Sequence, residues 1–140
     1  MPIASREALI PRLRATFPDL PMRVEDEGEV LVVFPARHPD VGDAVIELHE
    51  DELRVFIGTL THAHFENEER GLDAETKAES IATDAVDYLR KVCADEIEFY
   101  GNSRAGGARE RGDKKRGFLS RYFLGKRTYV WSGPVDEGKP

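Results

Sequence analysis

Residues 44–59 read AVIELHEDELRVFIGT. Ala44-Val45-Ile46-Glu47-Leu48 and Leu53-Arg54-Val55-Phe56-Ile57-Gly58-Thr59 are rich in strand-forming side chains and flank the charged tip Glu50-Asp51-Glu52. That pattern predicts a β-hairpin. Upstream, Met22 to Glu25 and Glu29 to Phe34 read as two more strands, joined around Asp26-Glu27-Gly28, where glycine supplies the positive φ of a tight turn. The run Val30-Leu31-Val32-Val33-Phe34 does not alternate, so both its faces need cover and the strand belongs inside a sheet.

Helices flank these strands. Ser5 is a candidate cap for a helix whose Leu9, Leu13 and Phe17 form one apolar stripe, with Pro11 expected to kink or shorten it and Pro18 to end it. From Asp73, residues Ala78, Ala82, Ala85, Leu89 and Val92 recur at helical spacing, widened by Ile81 and Val86. Acidic residues early in this helix and Arg90 and Lys91 late complement its dipole. Ile97 to Tyr100 and Thr128 to Trp131 read as a fifth and a sixth strand. Gly101 to Gly117 lacks an apolar pattern and reads as a mobile loop, with Phe118, Leu119, Tyr122, Phe123 and Leu124 available for a short helix after it.

The order helix, four strands, helix, two strands predicts an α+β fold. It is a two-layer sandwich in which two main helices pack on one face of a largely antiparallel sheet of about five to six strands. Residues 1–134 form a single globular domain in this reading, 102–117 a mobile basic loop within it, and 135–140 a disordered tail.

Composition narrows the chemistry. Cys93 is the only cysteine of 140 residues, which excludes an internal disulfide and a cysteine-rich zinc site. The opening MPIASREALIPRLRATFP places arginines among its apolar residues, unlike a secretory leader or a membrane span, so the cytoplasm is the expected compartment. The net charge of −7 conceals a division: residues 1–101 hold 10 basic and 23 acidic side chains, whereas 102–127 hold 9 basic and 2 acidic. A basic block of that kind either binds an anionic partner or lies against the acidic body, and the overall acidity repels nucleic acid outside a narrow patch.

Three constellations could carry function. Thr61-His62-Ala63-His64-Phe65-Glu66 follows the hairpin, and continued strand geometry would turn His62, His64 and Glu66 to one face as ligands for one divalent transition metal. That arrangement would suit a metal-dependent hydrolase, with His38 or His49 as further ligands if the fold brings them close. The basic segment 104–127, with Arg104, Arg109, Arg111, Lys114, Lys115 and Arg116, could contact phosphates. The glycines from Gly101 to Gly107 lack the Lys-Ser or Lys-Thr and the helix start of a phosphate loop. Acidic residues Glu50, Asp51, Glu52, Glu66, Glu68 and Glu69 with His62, His64 and the aromatics Phe65 and Trp131 form the third set, suited to gripping another protein.

Phe34 to Gly42, His62-Ala63-His64-Phe65 and Val130-Trp131-Ser132-Gly133-Pro134 together resemble small bacterial proteins of this length, a likeness spanning most of residues 20–134. In size, acidity and lack of a catalytic motif the chain is similar to immunity proteins, which neutralise a toxin by covering its active surface. The resemblance implies a non-enzymatic inhibitor with no cofactor and a basic toxin as partner, drawn in by electrostatic steering.

Overall fold

The computed structural model describes residues 2–25, 28–50, 52–67, 69–101, 106–110 and 127–134. Its elements run α1 (Pro2–Thr16), β1 (Arg23–Val24), β2 (Val30–Phe34), β3 (Ala44–His49), β4 (Glu52–Ile57), β5 (Thr61–Phe65), α2 (Ala74–Cys93), β6 (Ile97–Gly101), β7 (Gly106–Glu110), β8 (Arg127–Val130) and β9 (Gly133–Pro134). The fold is α+β, and none of the helices described is long and apolar enough to cross a membrane.

Strands β1 to β5 form one antiparallel sheet in sequence order, so each turn joins neighbours. The hairpin expected from residues 44–59 is the pair β3–β4, in register from Ala44 opposite Ile57 to His49 opposite Glu52. The chain reverses again through Gly58 to Leu60 and continues as β5, a fifth strand before the second helix. Gly58 has φ 51, donates its N–H to the Asp43 carbonyl at 2.8 Å, and lies so close to Val41 that a Cβ would overlap the Val41 carbonyl oxygen. The β2–β3 and β4–β5 connections therefore meet where only glycine fits.

Side-chain alternation sends Ala44, Ile46, Leu53, Val55 and Ile57 to one face, where they are buried with Leu9 and Leu13 of α1 and the stripe Ala78, Ile81, Ala82, Ala85 and Leu89 of α2. Both helices thus lie on one face of the sheet, as the sequence predicts. Asp73 caps α2, its Oδ1 accepting the Thr76 N–H at 2.7 Å, and this bond holds the Asp73 carboxyl below its ordinary range.

Helix α1 departs from expectation in two ways. It begins at Pro2, so Ser5 lies inside it, consistent with the ease with which proline occupies a first helical turn. It also runs through Pro11. Pro11 and Glu7, whose carbonyl loses its partner, are both on the exposed side, where water can satisfy the freed group.

The C-terminal strands add a second ladder. Strands β7-β6-β8-β9 form a four-stranded antiparallel sheet beside β5. Gly106–Glu110, expected within a mobile loop, pairs along the whole length of β6. The remainder of that loop, the short helix expected around Phe118 to Leu124, and the tail 135–140 lie outside the described residues. Trp131, at the β8–β9 turn, is 1% exposed and joins the main core.

Candidate functional site

The sheet face turned away from the helices carries the alternate residues of the hairpin. Val45 of β3 stands opposite Phe56 of β4, and Phe56 opposite His62 of β5. The Phe56 and His62 rings stack with centroids 5.5 Å apart, and His64 meets His62 edge-on at 4.9 Å. The neighbouring row is polar: Glu47 opposite Arg54, and Arg54 opposite His64. Beyond it His49 faces Glu52 beside the hairpin tip. An apolar band thus grades into carboxylates and their counter-charges within three strands.

Two carboxylate centres organise the polar rows. Glu52 accepts from His64 Nδ1 and, at 3.0 Å, from Arg54 Nε. These hydrogen bonds, His64 first and Arg54 second, hold the Glu52 carboxyl below its usual range. His49 bridges two acids, with Nε2 2.6 Å from Glu47 Oε1 and Nδ1 3.2 Å from Glu29 Oε2. Glu29 precedes β2 and reaches His49 past a register shift between Val30 and Val32.

The structure redistributes the residues singled out in sequence. His62 and His64 share the outer face as expected, but β5 ends at Phe65 and leaves Glu66 beyond the ladder, while the His64 ring engages Glu52. The ligand atoms of His62, His64 and Glu66 are therefore not gathered within 4.8 Å of one another. Among the described residues, the group whose potential ligand atoms converge within 4.8 Å is Glu29, Glu47 and His49. Phe65 points to the helices, opposite core residue Leu53 and 5.5 Å from the Tyr88 ring, whose hydroxyl burial pushes up to about 12. Trp131 is enclosed in the core and is not a surface anchor. Glu50 and Glu69 are exposed, whereas Asp51 and Glu68 lie outside the described residues. Of the basic segment, Arg109 falls in β7, and Arg104, Arg111, Lys114, Lys115 and Arg116 lie outside the described residues.

The residues missed were Glu29, Glu47, Arg54 and Phe56. Strict alternation through the hairpin was the signal for the last three, since Val45, Glu47 and His49 must share a face opposite Glu52, Arg54 and Phe56.

Elsewhere the surface offers open grooves. One of about 300 Å³ lies between the end of α1 and β1, lined by Arg14, Phe17, Leu20, Met22 and Val24, and another of about 350 Å³ lies at Tyr88 and Lys91. Neither contains the histidine face. Cys93 is half-buried, and burial, aided by Asp95, pushes its thiol up to about 11, which leaves it a poor nucleophile. Compared with protein-family models, curated proteins and solved structures, the chain matches none.

Proposed function

We propose that the chain is a non-enzymatic binding protein of the immunity-inhibitor kind, and that the outer face of β3, β4 and β5 covers a basic protein partner. The supporting observation is the Phe56–His62 stack set beside the carboxylates Glu47 and Glu52 on a face that neither helix occupies. An aromatic centre supplies desolvated contact area, and flanking acids speed encounter with a cationic surface. Open sheet geometry suits covering a partner's surface better than enclosing a small substrate.

The test is a pull-down from an extract of the source organism, run with the wild-type chain, Phe56→Ser and Glu47→Gln/Glu52→Gln. A basic protein recovered in equal amount, lost with Phe56→Ser and associating more slowly with the double variant at low salt, is the expected result. Recovery unaffected by either variant overturns this surface as the binding face.

A further inference from the structure

Three of the four arginines of α1 and β1 are engaged. Arg6 donates to the Glu25 carbonyl, Arg12 pairs with Glu79 of α2, and Arg23 pairs with the Glu25 carboxylate. Arg14, the fourth, makes no side-chain hydrogen bond or ion pair with a described residue. It lines instead the groove of about 300 Å³ between the end of α1 and β1, whose other walls are Phe17, Pro18, Leu20, Met22 and Val24. Every lining side chain except Arg14 is therefore apolar. Local structure builds these walls without a ligand. Pro18 and Pro21 restrict the backbone of the link into β1, and strand alternation sends Met22 and Val24 to one side and Arg23 to the other. Phe17, Leu20 and Met22 are half-buried against the core, the Phe17 ring meeting Phe34 edge-on at 5.8 Å.

We propose that this groove binds an aliphatic monocarboxylate of medium chain length, its chain lying along Phe17, Leu20 and Met22 and its headgroup on the Arg14 guanidinium. A guanidinium presents paired N–H donors that match both oxygens of a carboxylate. The groove supplies one such cation and apolar contact otherwise, so an anion at one end and a hydrocarbon chain behind it are what it can recognise. Sites for nucleotides or sugars need several convergent polar side chains, which these walls lack. The volume, at the small end of ligand sites, suits a single chain. The carbonyl end of α1 carries partial negative charge, which favours Arg14 in the last turn and leaves an anion no seat but the guanidinium. Asp19, the acid nearest in sequence, is exposed and does not line the groove. The proposal is independent of the outer face of β3, β4 and β5, which the groove does not include.

The full chain has two methionines, Met1 and Met22, so the ¹³C-methyl resonance of Met22, assigned with Met22→Leu, reports from inside the groove. Octanoate, titrated below its aggregation threshold, should move that resonance to saturation. Octan-1-ol, the chain without the charge, and acetate, the charge without the chain, should each bind more weakly. Arg14 is exposed and bonded to no described residue, so Arg14→Gln should leave the fold intact and weaken octanoate about fivefold, the scale of one exposed ion pair. Arg23→Gln removes an equal charge from the other side of β1 and should leave octanoate affinity unchanged. A Met22 methyl that octanoate does not move overturns the proposal. Equal affinity for octanol, or for octanoate in Arg14→Gln, overturns it too, since the groove would then be an apolar patch without a seat for a carboxylate. An equal loss in Arg14→Gln and Arg23→Gln would replace the site with general attraction between anions and positive charge, and overturns it as well.

Discussion

Asp95 holds both polar donors of Ser132, accepting its main-chain N–H at 3.0 Å and its hydroxyl at 2.5 Å across a sequence separation of 37 residues. Asp95 directly follows the C-cap of α2, and Ser132 lies in the turn between β8 and β9. The pair therefore fastens the second sheet to the helix layer beside Trp131. Asp95→Ala should cost about 1–3 kcal/mol, because two donors lose their charged acceptor. Ser132→Ala removes the hydroxyl bond alone and should cost less. Combined in a double-mutant cycle by urea denaturation, the two should be non-additive, and simple additivity would show that the hydroxyl bond to Asp95 contributes nothing.

Gly58 and Gly28 both have positive φ, yet their surroundings differ. A Cβ at Gly58 would overlap the Val41 carbonyl oxygen, whereas at Gly28 nothing lies within 4 Å. Gly58→Ala should lose about 3 kcal/mol from combined backbone strain and overpacking, and Gly28→Ala only about 1 kcal/mol from strain. Denaturant midpoints separate the two, and equal losses would mean that the Val41 contact does not constrain the turn.

The hydrogen bonds from His64 and Arg54 that hold the Glu52 carboxyl below its usual 4.5 set the sign of an acid response. A carboxyl depressed in the folded state stabilises fully above that ordinary value, and the contribution disappears as pH falls through the folded-state value. Wild type should therefore lose stability on acidification below about pH 4.5 more steeply than Glu52→Gln, as read by thermal unfolding across that range.

Cys93, with its thiol pushed up to about 11, should react slowly with Ellman's reagent in the folded protein at about pH 8. Unfolding in urea should restore the rate of an ordinary cysteine. Rapid reaction of the folded protein would place the thiol in a more open and less apolar setting than the structure gives it.

The hairpin and α2 were legible because each has a single periodicity that burial enforces: alternation through Leu53, Val55 and Ile57, and helical spacing through Ala78 to Val92. Strand β7 was not. Gly-Gly-Ala-Arg-Glu has no apolar rhythm, and it is extended because β6 offers it a complete row of partners. Trp131 was misread because an aromatic at a strand end suits an interface or a core equally, and packing around the β8–β9 turn decides between them. The meeting of Glu29 with His49 depends on the bulge in β2, and an offset of that kind leaves no trace in alternation.

The outermost strands of the two sheets have a bearing on solubility. At one edge stands β1, two residues long and bearing the exposed Arg23; at another stands β9, also two residues long and ending in Pro134, which has no N–H to offer. The far edge strand of the first sheet, β5, is flanked by β6 and β7. Short, charged or donor-poor borders give a stray strand little to extend. Margins of this kind disfavour pairing of one copy's sheet with the edge of another.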